Sequence, residues 1–229
     1  MRDCAQANLC HRPDWGKLLV LHAIDLGRLP VNESIYAPPE ADIEIREYTE
    51  GDYYVVAPGK FLALTILTLG LYLVYWFYRQ WRTVKARDER NIWPVPRGLF
   101  YIFFTHSLYS DINRKLGDNA ISYTWSPGTS ATLVVIGTLL SNILGRLGGE
   151  NIGSPFTDVA SLAIVPVLAY LALPAQKAAN AASGDASGSS NANLTGANWV
   201  WMILGGLIWA LSLFGLYFII TQPELFADI

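Results

Sequence analysis

The chain has 229 residues, 52% hydrophobic, 13% aromatic and 15% charged, with a mean hydropathy of +0.28; soluble domains carry about 25% charge, so this is the composition of a polytopic membrane protein. The net charge of -3 conceals an asymmetry, because residues 1 to 59 hold ten of the nineteen acids and residues 79 to 115 hold eight of the sixteen Lys and Arg. Beside an apolar stretch, such a basic segment is explained by anionic headgroups and topology control, which sets aside the nucleic-acid reading that Trp81 and Trp93 invite.

Residues 1 to 30 contain the only cysteines, Cys4 and Cys10, near His11 and His22. The C-x5-C-H spacing without a second pair is not a zinc framework. The apolar patch from Leu18 is interrupted by His22, Asp25 and Arg28 and lacks a cleavage site, so it is a poor signal peptide. From Val31 the chain turns polar and rich in Pro and acid, the pattern of an extended tail, so residues 1 to 59 are expected to form an acidic, largely disordered region.

The run from Phe61 to Tyr78 is eighteen residues without a charge and is followed by a basic cluster, Arg79, Arg82, Lys85, Arg87, Arg90 and Arg97. As one helix it would span ~27 Å, close to the ~30 Å hydrocarbon core, and it is read as the first span. Thr68 can cap a new turn and Gly70 leaves the backbone bare, so a break there, and with it a hairpin, is the alternative to a straight crossing; the straight crossing is preferred. Tyr72, Tyr75, Trp76 and Tyr78 are expected at headgroup level as an aromatic belt.

Thr68, Gly70, Tyr72, Tyr75, Trp76, Phe77 and Tyr78 are similar to the T-x-G-x-Y-x-x-Y-W-F-Y signature of a bacterial family of membrane proteins of unknown function. Asn32, Tyr36, Ala37, Pro38, Pro39 and Ala41 resemble the Asn-Pro-Tyr-x-Pro-Pro opening of such proteins, with Ile35 where that pattern has Pro. Trp93 to Arg97 and the Leu-Thr-Gly-Ala-Asn-Trp of 194 to 199 extend the likeness from about residue 31 to the end. The resemblance implies an inner-membrane location and a native start at Val31, but carries no activity.

The apolar stretch near 98 to 110 is too short to span and reads as an interfacial or re-entrant helix, with His106 its one ionisable residue. Ser126 and Pro127 start a second span, 127 to 147, in which Gly137, Ser141 and Gly145 recur every four residues as a close-packing face and Arg146 snorkels at the end. After the short turn of 148 to 153, a third span runs from 155 to 173 through Pro166, with Asp158 in its first turn complementing the helix dipole. In residues 175 to 198 nineteen of twenty-four are Ala, Gly, Ser or Asn; the first turns extend the third helix, and 183 to 198 reads as a flexible linker. Asp185, Ser187, Ser189 and Asn191 imitate alternate calcium ligands, but one carboxylate without a bidentate Glu makes a poor site. The last span, 199 to 220, is uncharged, opens on Trp199 and spaces Gly206 and Ala210 for packing; a tail, 223 to 229, follows.

The expected fold is all-α: a polytopic bundle of about four transmembrane helices plus one interfacial or re-entrant helix. No Walker loop, dinucleotide glycines, nucleophile elbow, zincin motif or intramembrane acid pair is found, so neither enzyme nor cofactor is expected. His106, Arg146 and Asp158 remain the candidates for a converging site. The leading reading is a non-catalytic structural or accessory component of the envelope, whose partners are the bilayer, anionic headgroups at the basic loop, and a second copy or another membrane protein. A small transporter or channel is the alternative. The excess of Lys and Arg in 79 to 115 places that segment in the cytoplasm, so 148 to 153 lies outside, the linker inside and the tail outside.

Overall fold

A computed structural model describes residues 51–222. The expectations for the cysteine-containing segment, the acidic tail up to residue 50, the start at Val31 and the tail from Pro223 lie outside the described residues. Within them the chain is an all-α membrane bundle: α1 (Pro58–Leu67), α2 (Leu71–Asp88), α3 (Pro94–Leu99), α4 (Tyr101–Asp118), α5 (Pro127–Gly149), α6 (Phe156–Ala182) and α7 (Gly196–Thr221). Only α5, α6 and α7 are both long and apolar enough to cross a membrane.

The first apolar run breaks where Thr68 and Gly70 suggest. Thr68 Oγ1 donates to Leu64 O at 2.7 Å, in the last turn of α1, and accepts from the Tyr72 amide at 3.0 Å, in the first turn of α2. One hydroxyl thus ties the last turn of α1, where Leu64 O also accepts from Thr68 N at 3.1 Å, to the otherwise orphan Tyr72 amide of α2. Gly70, with φ of 85°, supplies the left-handed link that a residue with a Cβ resists. The chain then returns on itself: the Phe61 ring near the start of α1 meets Trp76 at 5.7 Å and Tyr72 at 6.0 Å, and Tyr54 meets Tyr75 at 6.3 Å. The straight crossing is therefore corrected to a helical hairpin, because the capping of both ends stabilises the reversal that a continuous helix would forgo. Thr68→Val should cost about 1–2 kcal/mol, read as a lower thermal midpoint in detergent, and Thr68→Ser should restore most of it.

The aromatic run is corrected with it. Trp76, Phe77 and Trp81 are fully buried and form the core with Phe61, Tyr109 and Leu108, while Tyr75 faces outward. Of the four residues expected in a belt, Tyr72 and Trp76 are buried and only Tyr75 and Tyr78 reach the surface, because the return of α1 and the arrival of α4 cover the run: Phe77 stacks on Tyr101 at 4.7 Å, and Trp81 meets Phe104 edge-on at 6.5 Å.

The expected interfacial helix is a second hairpin and reaches further than residue 110. α3 climbs along α2, with Gly98 seated on Tyr78, where a Cβ would come within 2.9 Å of the Tyr78 backbone nitrogen. α4 then descends parallel to α2 and antiparallel to α5, pairing Tyr101 Oη with Thr138 Oγ1 at 3.1 Å and Trp125 Nε1 with Asn113 Oδ1 at 3.0 Å. Thr138 is the middle residue of α5. Likewise the tip of the first hairpin meets α7 at Gly205 and Trp209, which bracket its middle. Both hairpins therefore enter from one end and stop halfway along the long helices.

On α5 the buried stripe runs Ala131, Val134, Gly137, Thr138 and Gly148. Gly137 packs against Leu168 and Leu171, and Ser141 is half-buried on the same face. Gly145 faces open space, and Gly148 takes its place against Asp158. On α7 the contact glycine is Gly205, one residue before the expected Gly206, and Ala210 is exposed. A Cβ at Gly205 would lie 1.9 Å from Leu67 O, and Trp209 Nε1 donates at 2.8 Å to Ile66 O, which also accepts from Leu69 N at 3.1 Å at the end of α1. Gly205→Val should therefore detach α7, at ~3 kcal/mol. Gly206→Val, whose added Cβ meets nothing within 4 Å, should melt in detergent like the parent; equal losses would contradict this contact.

The helix of the third span, a span expected to end at residue 173, runs through Pro166 and Pro174 to Ala182, over the turns of 175 to 182 expected to extend it. The linker is docked rather than free: a short 3-10 turn, Ser189–Asn191, lies against residues 55 to 57.

Candidate functional site

Residues 53 to 57, ahead of α1, pass as a non-helical strap between α2 and the last turns of α6. Among the described residues no strand lies beside it, so its amides and carbonyls need partners of another kind. Side chains supply them. Gln80 accepts from the Tyr54 amide and donates to the Tyr54 carbonyl, both at 3.0 Å. Asn180 accepts from Val56 N at 3.1 Å and donates to Val56 O at 2.8 Å. Ser183 accepts from Tyr53 N at 2.9 Å, and Asn191 Nδ2 donates to Val55 O at 2.8 Å. Gln176 completes the set by accepting from Trp76 Nε1 and donating to Asn180 Oδ1.

Gln176, Asn180 and Ser183 stand at i, i+4 and i+7, so the helical period puts them on one face of α6. The alanines around them, Ala175, Ala179 and Ala182, are buried and let the strap approach that face closely. Gln80, Gln176 and Asn180 have no exposure at all. In an apolar interior each amide is held in one orientation by the two groups it serves.

The strap ends in a charged cluster. Asp111, on α4, accepts from Tyr53 Oη and from Arg87 Nη2 through Oδ2, each at 2.8 Å, and from Arg90 at 3.4 Å and Arg114 through Oδ1. Arg87 also donates to Asp52 O at 3.2 Å, and Lys115 pairs with Asp52 at 3.1 Å. Burial works against the ionised Asp111, but the hydrogen bonds from Arg87, Tyr53 and Arg114 outweigh it and hold the carboxyl below the usual aspartate range. Burial pushes the Tyr53 phenol well above its ordinary value. A carboxylate this low, with both oxygens engaged by guanidinium groups, is a poor proton acceptor at neutral pH.

The expected basic cluster is divided among different tasks. Arg87 and Arg90 belong to the Asp111 cluster, Arg97 stacks on Trp81 at 4.3 Å and on Phe104 at 5.0 Å, and Arg79 lies over Tyr54 at 4.4 Å. Arg82 and Lys85 remain exposed. The three converging candidates do not converge. His106 is exposed and pairs with Thr132 Oγ1 at 3.1 Å, near the start of α5, while Arg146 stands fourteen residues on, about 21 Å up the same helix. Asp158 adjoins Gly148 at that far end, with Oδ2 unpaired, and makes no ion pair with Arg146 among the described residues. Asp185 accepts from Ser187 Oγ and from the amides of Ser189 and Ser190, which hold its carboxyl well below the usual range and close the loop on itself. Among the described residues no group of three His, Cys, Asp or Glu is placed to hold a metal.

No protein-family model, curated protein or solved structure matches the chain.

Reading the sequence missed Asp111, Tyr53, Lys60, Gln80, Gln176 and Asn180. The available signal was Gln176 and Asn180 four residues apart among small residues, the pattern of a closely packed helix face carrying amides. The composition of 175 to 198 had hidden it within a linker.

Proposed function

We propose that this is a multi-pass, non-catalytic membrane protein, a structural or accessory component of the cell envelope, in which three spans carry two re-entrant hairpins inserted from one face. What supports it most directly is the direction of the interior polar groups: Gln80, Gln176, Asn180 and Asp111 close on the chain's own strap and arginines instead of lining a chamber. The resemblance of residues 68 to 78 to the bacterial signature supports an inner-membrane location and membership of that family. The basic turn, the strap and the 183 to 191 link share one end, which the excess of Lys and Arg assigns to the cytoplasm.

A transporter is the second reading, favoured by one observation: the Thr68 to Gly70 break stops at the middle of α7, as discontinuous helices do where they hold substrates. After Cys4 and Cys10 are replaced by Ser, single cysteines at Lys85, Ser187, Asn151 and Leu69 separate the two. The accessory reading expects an impermeant maleimide to reach Lys85 and Ser187 from one side, Asn151 from the other, and Leu69 from neither. Labelling at Leu69 would establish a water path to the hairpin tip and favour transport.

A further inference from the structure

A groove of about 570 Å³ runs beside the first hairpin, between α1, α2, α3 and α7, and its walls include Leu64, Leu71, Tyr75, Val95, Leu99 and Trp201. Leu71, Val95 and Leu99 are each more than half exposed, so the groove is open to the surroundings of the bundle. It has a polarity along its length. At the hairpin tip it is bounded by Leu64, Thr68 and Leu71, level with the middle of α7; towards the other end come Tyr75 and Tyr78, and Arg79, hydrogen-bonded to Tyr75, stands just beyond the lining. Leu71, Tyr75, Tyr78 and Arg82 follow at i, i+4, i+7 and i+11, one stripe of α2 that passes from aliphatic to aromatic to cationic.

Among the described residues the cationic end has no anion. Arg79 donates to Tyr75 Oη at 3.2 Å and lies over the Tyr54 ring, and neither it nor Arg82 pairs with a carboxylate among the described residues. Lys60, buried nearby in α1, donates to Asn191 Oδ1 at 2.6 Å and to Asn193 O at 2.7 Å, both neutral. This differs from the neighbouring Arg87 and Arg90, which share Asp88 and Asp111. From Leu71 to Arg79 the helix rises about 12 Å, against a half-thickness of about 15 Å for the hydrocarbon core.

We propose that the groove holds one anionic phospholipid of the leaflet that the hairpins enter, with an acyl chain along Leu64, Leu71, Val95 and Leu99 and the phosphate at Arg79 and Arg82. The proposal rests on the re-entrant placement of the first hairpin. An acyl chain matches the apolar walls and their length, the phosphate supplies the missing anion, and the tyrosines lie at the glycerol level where phenols are favoured. The guanidinium of Arg79, already oriented by Tyr54 and Tyr75, loses little freedom on engaging a phosphate.

The test is native mass spectrometry of the full chain in detergent, supplied with equal amounts of phosphatidylglycerol and phosphatidylcholine. The parent should retain the anionic lipid by at least about fivefold over the zwitterionic one, the factor expected for one arginine at the headgroup level. Replacing Arg79 and Arg82 together by Gln should abolish the preference while still retaining lipid, Leu71→Trp should lose both lipids by filling the groove, and Lys177→Gln, an exposed charge on α6, should change nothing. Thermal midpoints recorded for each variant identify any that has not folded, and Val95→Trp then stands in for Leu71→Trp. A preference that survives the double replacement of Arg79 and Arg82 by Gln overturns the proposal, as does full lipid retention by both folded Trp variants. A parent dimer that Leu71→Trp turns into monomer also overturns it, since a second copy would then be the occupant. Labelling of single cysteines at Gly59, exposed at the start of α1, and at Lys85 from opposite sides of the membrane sinks the re-entrant reading separately, whatever lipid is retained.

Discussion

Asn180→Ala is expected to lower stability more than any other single truncation in α6. It leaves the Val56 amide and carbonyl without partners inside the bundle, and it frees the Gln176 amide that donates to Asn180 Oδ1. An unsatisfied buried group costs about 1–3 kcal/mol, so the two backbone groups together should cost about 2–6 kcal/mol. Relaxation is restricted, because Ala178, Ala179 and Ala182 around the site are buried and leave little space for water to replace the amide. Lys177→Ala, three residues away and exposed, should be nearly neutral. Thermal unfolding in detergent, followed by tryptophan fluorescence, measures both; an Asn180→Ala midpoint equal to that of Lys177→Ala would show that the strap is not held as described. Proteolysis offers an independent reading, since a released strap exposes the bonds at Val55 and Val56.

Asp111→Asn should come second, with a loss of about 3 kcal/mol, the lower end for removing one member of a buried ion pair. Arg87 dominates, being 13% exposed; Arg90 and Arg114, at 41% and 56%, return to water when released and contribute little. The sign of the pH dependence follows from the depressed carboxyl. Its folded value lies below the ~3.9 of the unfolded chain, so the stabilisation is complete above about pH 5 and is lost as the pH falls through the folded value. The parent should therefore lose stability on acidification, and Asp111→Asn should follow a flatter curve in the same range. Parallel curves for the two proteins would remove Asp111 from the account. Tyr53→Phe, which deletes one hydrogen bond and leaves the arginines in place, should have a smaller effect, about 1 kcal/mol.

Sequence by itself determined the solvent of this protein and the limits of its long helices. Uncharged runs of about twenty residues, opened by Pro127 and by Trp199 and closed by glycine or polar residues, are legible because hydrocarbon excludes unpaired backbone and charge, so length and composition alone bound α5 and α7. The break at Thr68 and Gly70 was equally legible, since a capping hydroxyl and a left-handed glycine act over a single turn. Tertiary structure decided everything that depends on which apolar surface meets which. A membrane interior and a protein interior are equally apolar, so hydropathy cannot tell the buried Trp76 from the exposed Trp201, or a crossing from a return. The choice of Gly205 over Gly206 came from the tip of α1 at Leu67, 138 positions earlier in the chain, which approaches one and not the other. The strap was hidden for a related reason. It offers Gln80 and Asn180 only backbone amides and carbonyls, which every residue carries, so no complementary side chain in residues 53 to 57 announces these two amides.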